Sequence, residues 1–499
     1  MIAGRAGFPK PATGLPHETS RRETITPDMT DDRPRALVIA GQGCAGLTAA
    51  VAAAERARER GCRVDITVVD RAPAGRTGGG TRFSPANMRL GSAAAMARDF
   101  QAITADPRCD PAYFATLARD ARPAVEWLQG LGIAFEEVPY YLAATPRHRP
   151  VGGGAALLEG LAQAALREGV RLVCDFEARA IARDASGAIT ALAGSTAGGA
   201  GVTIAADAVV LACGSFAGNA AMLERHLGPG AASLRPISPG TAANTGAGIA
   251  IAQALGAALS GDFAGMHAEP VDPRARNPAA VVLVYPYGIL VDRTGRRFLD
   301  EGAGLVHDTW EEVSRRIHFD TPGGVAYAVF DAGLDDVAGY RRAIRSECPP
   351  HTADSLTALA RLLDVPADAF AATVAGFNAH VPSHVPGTTA GFDPTRCDGR
   401  ATGPGLNIAK SNWARRIERP PFRAWPVVCG IAYTFGGVST TATAEVLGSH
   451  GAIAGLYAAG EITGHFHGRA PNAVSILRAV VFGRIAGRAG IDRVATQRW

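Results

Sequence analysis

The sequence predicts an α/β fold in which a Rossmann-like dinucleotide-binding domain is interrupted by an α+β capping domain. Three observations support this prediction. The motif Gly41-Gln-Gly-Cys-Ala-Gly46 stands between an apolar strand and an alanine-rich helix. A second apolar strand ends in the carboxylate of Asp70. Near the other end of the chain, a short apolar strand leads into Gly460 and Glu461, and an apolar helical stretch follows.

The composition sets limits on size, partners and compartment. With 499 residues, of which 47 % are hydrophobic, the chain is long enough for two or more domains. Its net charge of +4 gives no case for nucleic acid or a membrane surface, although a local basic site for an anionic substrate stays open. No stretch approaches the roughly 20 apolar residues of a membrane span. Eight scattered cysteines without a CxxC pair indicate free thiols in a reducing cytoplasm and no metal site.

Residues 1–34 are polar and proline-rich, and we expect them to form a disordered leader. The strand at 35–40, the motif after it, the helix from residue 47 and the strand at 64–70 then make a dinucleotide-binding βαβ unit. In this unit Gly41 permits the turn, Gly43 lets the backbone approach a pyrophosphate, Gly46 allows close helix packing, and Asp70 binds a ribose hydroxyl. We expect three neighbours to contact the same cofactor, namely Cys44, Ala45 and Arg71.

The stretch 75–84 is rich in glycine and hydroxyl side chains. It is either a second phosphate-facing loop or a flexible surface turn. We favour the loop, because a segment that follows the second strand lies on the cofactor side of the sheet. The residues expected to contact the cofactor there are Gly78, Gly79, Gly80, Thr81 and Ser84.

The central part of the chain changes character at about residue 231. Before it, the pattern predicts helices up to Trp127 and over 155–168, a strand at 170–177, a β-meander over 180–206, and a buried strand over 207–216 that brings Ala212 and Gly214 to the cofactor. After it, we expect a helix over 241–252 with Thr245 as N-cap and a hairpin over 287–301. The predicted domains are 35–267 and 422–499 for the cofactor and 268–421 for the cap.

The C-terminal segment offers a second cofactor contact. Glu461 ends a buried strand with an anionic acceptor that suits a ribose or ribityl hydroxyl. The next helix begins near Ser475, Ile476 and Leu477, and its unpaired N–H groups can face a ring whose edge becomes anionic on reduction. Taken alone, the segment could be any glycine-rich strand–helix connection. Together with the N-terminal fingerprint it indicates a cofactor held from both ends of the chain.

In this order the motifs resemble those of FAD-dependent oxidoreductases of the fumarate reductase/succinate dehydrogenase flavoprotein superfamily. The motifs are GQGCAG, GRTGGGT, DAVVLACGSF, NTGAGI, GRRFLDE, YTFGGV, GLYAAGEITG and VFGRIAG, distributed over residues 35–490. The GILV…GRRF run and the chain ending are most similar to the tricarballylate dehydrogenase-like branch. The resemblance implies FAD, a mobile cap, and a substrate bound between cap and flavin. It also implies non-covalent FAD, because covalent members carry a histidine where this chain has Gly80.

The resemblance also identifies departures. Soluble fumarate reductases have a proton-donating arginine shortly after the hairpin, but residues 300–308 contain none. A substrate-binding histidine of the family is replaced by Tyr433. A second one corresponds to His267, and the C-terminal active-site arginine corresponds to Arg469, shifted within its loop. Fumarate itself is therefore not the expected substrate.

A flavin accepts hydride at N5 while a base removes the neighbouring proton, so candidate groups should surround that ring. Arg469 and His467 follow Glu461 on one loop; we expect Arg469 to clamp a substrate oxygen, and the alternative for both is a surface loop. Tyr433 could donate to an oxygen, relay a proton if its pKa were lowered, or pack on the flavin. His267 is a substrate ligand or a core histidine. His307 is a weaker candidate from the cap, and Arg415 with Arg416 could replace the missing arginine or form a solvated face.

These observations predict an enzyme that dehydrogenates a small, polar molecule, expected to bear a carboxylate, at a CH–CH bond. Its electrons would pass to a separate acceptor, a quinone or a redox protein, since only one dinucleotide fingerprint is visible. The first alternative is the reverse reaction, reduction of an activated C=C bond. The second is a flavin-carrying electron-transfer subunit without turnover of its own, which the missing arginine would suit.

Overall fold

The computed structural model describes residues 34–103, 106–382 and 393–496. The leader predicted for residues 1–34 therefore lies outside the described residues, apart from Pro34. Within the described ranges, none of the helices has the length and apolar character needed to cross a membrane.

The described residues form nineteen β-strands and eleven α-helices. The strands are β1 (Arg35–Ala40), β2 (Val64–Val69), β3 (Phe135–Val138), β4 (Arg147–Pro150), β5 (Arg171–Val173), β6 (Phe176–Arg183), β7 (Ile189–Thr196), β8 (Gly201–Ala205), β9 (Ala208–Leu211), β10 (Arg235–Pro236), β11 (Leu259–Ser260), β12 (Met266–Val271), β13 (Ile289–Asp292), β14 (Val325–Phe330), β15 (His351–Ala353), β16 (Phe422–Thr434), β17 (Gly437–Val438), β18 (Glu445–Gly448) and β19 (Gly451–Ala458). The helices are α1 (Cys44–Arg60), α2 (Ala93–Ile103), α3 (Pro111–Gly130), α4 (Gly153–Arg167), α5 (Ala220–Leu227), α6 (Pro239–Ala242), α7 (Ala247–Ala254), α8 (Val306–Asp320), α9 (Leu356–Leu363), α10 (Ala367–His380) and α11 (Ser475–Thr496).

The main sheet has the strand order β18-β19-β9-β1-β2-β5. All neighbours pair in parallel except β18, which is antiparallel to β19. Parallel strands buried on both faces read as continuous apolar runs, as β1 and β9 do here. Because the strands are parallel, β1, β2, β9 and β19 all end at one edge of the sheet. The predicted α/β class with a Rossmann-like sheet is confirmed.

Helices α1 and α11 pack against each other through glycines, although they are more than 400 residues apart in sequence. A Cβ at Gly483 would lie 2.6 Å from the Ala45 carbonyl oxygen, and one at Gly487 would lie 2.0 Å from that of Ala49. The small residues let the two backbones touch, so the N-terminal and C-terminal segments form one layer on the main sheet.

A second, mostly antiparallel sheet has the order β10-β16-β14-β13, with β12 and β15 also paired to β16. Strand β12 pairs His267 with Tyr433 of β16, and the register shifts at the next residue. Successive side chains of a strand alternate between faces, so His267 and Glu269 share one face. The sheet joins β16, from the predicted C-terminal part of the cofactor domain, to strands of the predicted cap. The division at 267/268 and 421/422 stays a prediction.

One local prediction was wrong, and another was confirmed only at its turn. Thr245 does not cap α7, because the helix begins one residue later and Gly246 is its N-cap, with a φ of 75°. The hairpin over 287–301 is limited to its turn: Asp292 N–H donates to the Arg296 carbonyl, and one antiparallel bridge joins Val291 to Arg297. Beyond that bridge, β13 takes β14 as its strand partner.

Residues 297–301 also contain a buried ion pair. Arg297 Nη2 lies 2.6 Å from Glu301 Oε2. Lys410, fully buried, donates to the carbonyls of Pro286 and Gly288 at 2.8 Å each, and burial lowers its pKa to about 8. Buried charges need several hydrogen-bond partners, and here they take backbone groups that strand pairing would otherwise use. The apolar alternation of the sequence does not reveal this.

We expect the contact between α1 and α11 to tolerate no extra methyl group. Gly487→Ala should lower the free energy of unfolding by about 1–3 kcal/mol or more, because the new Cβ meets a backbone oxygen that cannot move aside. Gly376→Ala in α10 is the control: no atom lies within 4 Å of its Cβ position, so the change should be neutral or stabilising by up to about 1 kcal/mol. Denaturant unfolding of both variants measures this, and equal stabilities would contradict it.

Candidate active site

A cavity of about 790 Å³ opens where the parallel strands of the main sheet end. Most residues predicted to bind the cofactor line it: Gly41, Gly43, Cys44, Ala45, Asp70, Arg71, Gly78, Gly79, Gly80, Thr81, Ala212, Gly214, Gly460, Glu461, Ser475 and Ile476. Three predicted residues do not. Gly46 packs α1 on the turn, where a Cβ would lie 1.8 Å from the Gly41 oxygen, and Leu477 is fully buried in the core. Ser84 lines a neighbouring cavity instead.

The first turn of α1 suits a diphosphate. Gly41 has a φ of 113°, and a Cβ there would lie 2.3 Å from the Ala212 oxygen. The nearest atom to a Cβ built on Gly43 is 3.8 Å away, so this backbone is open to the cavity. No side chain caps the helix at Gly43, which leaves the N–H groups of its first turn to an outside acceptor. These features fit the pyrophosphate of FAD.

Asp70 stands at the end of β2 on the cavity wall. One carboxylate oxygen accepts from Gln42 N–H and the other from Ala72 N–H, both at 2.8 Å. Each oxygen keeps a second acceptor site, so the carboxylate is oriented by the backbone and can still receive a ribose hydroxyl.

The glycine-rich stretch forms a short 3₁₀ helix, Gly79–Phe83, along the cavity. Gly78 before it has a φ of 108°, and a Cβ at Gly240 would lie 2.1 Å from the Gly79 oxygen. The stretch therefore lies between α6 and the cofactor cavity. This is the cofactor side of the sheet, where the sequence analysis expected it.

Glu461 marks the far end of the cavity. Its Oε2 accepts from Asn244 Nδ2 at 3.2 Å and its Oε1 from Ser475 Oγ at 3.4 Å. Burial raises the pKa of this carboxyl, while the charge of Arg478 on α11 acts in the opposite direction. With the start of α11 beside it, this end suits the ribityl chain and the redox-active ring.

A second cavity of about 140 Å³ adjoins the first at this end. Both cavities are lined by six common residues: Gly80, Thr81, Phe83, Glu461, Ser475 and Ile476. The far wall of the second cavity is largely aromatic and comes from Tyr140, Tyr141, Trp310 and Tyr433. Its position beside the ring end makes it the candidate substrate site.

His267 lines this second cavity, between two carboxylates. Its Nδ1 lies 2.6 Å from Glu311 Oε1 on α8, and its Nε2 lies 3.5 Å from Glu269 Oε1. Burial by itself would lower the pKa of His267, but the two carboxylates raise it to about 10. At neutral pH this residue is therefore an imidazolium, stacked on Tyr433 with ring centroids 5.0 Å apart.

Tyr433 also lines the second cavity, as predicted, but it cannot relay a proton through an easily ionised hydroxyl. Burial raises its pKa, and burial likewise raises the pKa of Tyr140 and Tyr141. All three hydroxyl groups stay protonated at ordinary pH, so they can donate hydrogen bonds to a substrate oxygen.

Arg345 also lines the second cavity, and no feature of the sequence had indicated it. It follows the run Tyr340-Arg-Arg-Ala-Ile, where arginines are frequent and no motif marks one of them. The arginines considered for this role lie elsewhere. Arg415 donates to Gly333 and Asp336, and Arg416 pairs with the exposed Glu418.

The other three predicted catalytic residues line neither cavity. Arg469 is exposed, at the tip of its loop. His467 is buried beside it, its Nδ1 has no hydrogen-bond partner among the described residues, and burial lowers its pKa. His307 lies in the first turn of α8, its ring centroid is 6.5 Å from that of Trp310, and burial lowers its pKa as well. Their catalytic roles stay predictions.

The fold and the two cavities define a flavoprotein oxidoreductase. The family described as "FAD binding domain" matches residues 36–475, and the chain belongs to this family. It is an FAD-dependent oxidoreductase of the fumarate reductase/succinate dehydrogenase flavoprotein superfamily, as the sequence predicted.

Individual relatives support this assignment. The chain is 26 % identical over 475 residues to "Fumarate reductase (cytochrome)" of Shewanella frigidimarina, which covers 90 % of the chain and 76 % of the relative. It is 28 % identical over 395 residues to "NADH:acrylate oxidoreductase" of Vibrio harveyi, where the match covers 76 % of the chain but only 37 % of the relative. The open conformation of a flavocytochrome c3 fumarate reductase superposes with a TM-score of 0.73 at 25 % identity, over 93 % of this chain and 79 % of that one.

We expect FAD to be bound without a covalent link. Among the described residues that line the FAD cavity there is no histidine, and burial raises the pKa of the Cys44 and Cys213 thiols to about 12, so both are weak nucleophiles. Acid precipitation of the yellow protein should release all flavin absorbance into the supernatant. A yellow pellet would contradict this, and repeating the test on Cys44→Ser and Cys213→Ser would locate the bond.

The His267 charge should make stability pH-dependent. Because the folded-state pKa is about 10 and the unfolded value is 6.5, the contribution is fully present below pH 6.5 and is lost as pH rises through 10. At low pH we expect the free energy of unfolding of wild type to exceed that of His267→Gln by about 1.5–3 kcal/mol, the range for hydrogen bonds to charged groups. Denaturant unfolding between these limits measures the difference. His226→Gln is the control, because burial lowers the pKa of His226. Its difference in free energy of unfolding from wild type should not fall over this pH range.

Proposed function

We propose that this protein dehydrogenates a small, polar, carboxylate-bearing molecule at a CH–CH bond. The observation that carries the proposal is the second cavity, which adjoins the ring end of the FAD cavity and holds a cation, Arg345, among protonated tyrosines. A substrate bound there would lie beside the cofactor, with its carboxylate or carbonyl oxygen on donors that favour charge on that oxygen.

The residues of the second cavity would have distinct roles. Bound FAD would accept a hydride from a substrate C–H placed about 3–3.5 Å away. Arg345 would hold the carboxylate and, with Tyr433, draw charge onto its oxygens, which makes the neighbouring C–H more acidic. The aromatic wall of Tyr140, Tyr141 and Trp310 would exclude water from the reacting atoms.

The size of the second cavity supports a small substrate. At about 140 Å³ it is well below the roughly 300–1,000 Å³ of pockets for drug-sized ligands. Di- and tricarboxylates fit this size and the charge of Arg345. This agrees with our placement nearest the tricarballylate dehydrogenase-like branch, which remains a proposal.

The electron acceptor and the compartment are also proposals. A quinone or a redox protein would accept the electrons, since the described residues give one dinucleotide cavity and the sequence one fingerprint. A cytoplasmic location is supported by the eight cysteines, all of which are free.

The reverse reaction is the second candidate. It is favoured by the names of the relatives, a fumarate reductase and an acrylate oxidoreductase. Anaerobic mixing separates the directions: succinate or tricarballylate should bleach oxidised flavin if the enzyme dehydrogenates, and fumarate or acrylate should re-oxidise reduced flavin if it reduces. A flavin-carrying subunit without turnover would respond to none of them.

Arg345 is expected to be the carboxylate clamp. Arg345→Gln should weaken binding of the bleaching carboxylate about 10- to 150-fold, because a charged hydrogen bond of about 1.5–3 kcal/mol is lost. Anaerobic titration of the flavin spectrum measures the dissociation constant. Arg469→Gln is the matched comparison, since Arg469 is exposed and lines neither cavity. If only Arg469→Gln weakens binding, the clamp is Arg469, as the resemblance implied.

A further inference from the structure

We propose that Glu269 on β12 is the catalytic residue that exchanges the substrate proton, and that Glu311 on α8 is its positioning residue, acting through His267. This inference rests on the proposed function and adds the group that completes its chemistry. Neither glutamate was singled out by the sequence analysis, although Glu269 lies two residues after His267.

The cavity itself supports Glu269 by elimination. Its described lining contains seven titratable side chains: Tyr140, Tyr141, His267, Glu269, Arg345, Tyr433 and Glu461. The tyrosines are held protonated by burial. Arg345 is a permanent cation. Each of these four groups can donate a hydrogen bond but cannot accept the proton of a C–H bond at neutral pH.

The two remaining alternatives are occupied. Both ring nitrogens of His267 face carboxylates, at 2.6 Å and 3.5 Å, so its imidazolium has no lone pair to offer. Glu461 is engaged by Asn244 and Ser475 and also lines the FAD cavity. It is therefore placed for the cofactor and not for a substrate proton.

The Glu269 carboxylate, in contrast, is open to the cavity. Its side chain is 13 % exposed, and its contact with His267 is long, at 3.5 Å. Among the described residues no other side-chain donor bonds to it. An anionic oxygen with free lone pairs, facing a substrate cavity and next to a fixed positive charge, has the properties of a general base.

Glu311 explains why that positive charge is fixed. It does not line the cavity, and its side chain is 16 % exposed. Its short contact with His267 Nδ1 holds the ring so that Nε2 points at Glu269. The groups that face this pair are Trp310 on the same helix, Tyr433 stacked on the imidazole, and the charges of Glu461 and Arg469. Glu311 thereby keeps an imidazolium beside Glu269.

The step balances as follows. One substrate C–H bond would break with its electron pair, and bound FAD would supply the two-electron acceptor for that hydride. The neighbouring C–H bond breaks and leaves its proton on a Glu269 oxygen. The electron pair of that second bond forms the C=C bond of the product. In the reverse direction, protonated Glu269 returns the proton as a general acid.

Rapid anaerobic mixing of Glu269→Gln tests the inference. The variant should keep bound FAD and the spectral change on substrate binding, whereas flavin reduction by succinate or tricarballylate, or re-oxidation by fumarate or acrylate, should slow about 10²- to 10⁴-fold. Glu312→Gln, at an exposed glutamate of α8, should react within about twofold of wild type. A loss below about tenfold in Glu269→Gln, with an active wild type, overturns the inference and leaves the proposed function standing. A wild type that is inert in both directions overturns both.

Glu311→Gln tests the positioning role by a pH profile. Without Glu311, His267 loses one of the two carboxylates that raise its pKa, so the alkaline limb of the rate profile should move to lower pH while the dissociation constant of the carboxylate stays the same. Glu311→Asp should restore part of the wild-type profile. A profile that coincides with wild type, or a change in substrate affinity alone, would show that Glu311 has only a structural role.

Discussion

The whole molecule depends on one geometric constraint: the parallel strands of the main sheet end at the same edge. Strands β1 and β19 come from opposite ends of the chain, yet only β9 separates them. Their loops therefore meet across a single cavity, with the diphosphate side at Gly43 and the ring side at Glu461. The glycine contact between α1 and α11 fixes the two loops relative to each other. The second cavity lies beside the ring end of the FAD cavity, where these loops come together.

The lining of that space combines charges of both signs with neutral hydroxyl groups. Arg345 and the His267 imidazolium are cations, Glu269 and Glu461 are carboxyl groups, and Tyr140, Tyr141 and Tyr433 stay neutral. In a poorly hydrated cavity such charges act more strongly than in water, and they are already oriented before a substrate arrives. The departures from fumarate reductases thus remove one arginine without emptying the site of acid–base groups.

Much of the fold could be predicted because its signals are local. The glycines of the fingerprint, the carboxylates at strand ends and the apolar strand runs each follow from nearby residues. The meander over 180–206 was confirmed as the antiparallel β6, β7 and β8. The hairpin over 287–301 was confirmed only at its turn, because β13 takes β14 as its main partner and Arg297 and Glu301 form a buried ion pair.

The substrate site was harder to predict because its residues are distant in sequence. Tyr433 and His267 were found through a resemblance, and the pairing of β12 with β16 places them together. Arg345 lies in a segment without a motif, and Glu269 was passed over although it stands two residues after His267 on β12; both line the second cavity. Arg469 and His467 were expected near the ring because of the loop they share with Glu461. A loop this long can turn its tip toward solvent, as it does here.

The six lining residues that belong to both cavities have a practical consequence for protein engineering. Mutating this shared partition would change cofactor retention and substrate choice at once, so a library built there would confuse loss of flavin with altered specificity. In contrast, Tyr140, Tyr141, Trp310 and Arg345 line the second cavity and do not line the FAD cavity. Directed evolution confined to those four positions could change which carboxylic acids are accepted as substrates and leave the FAD cavity intact.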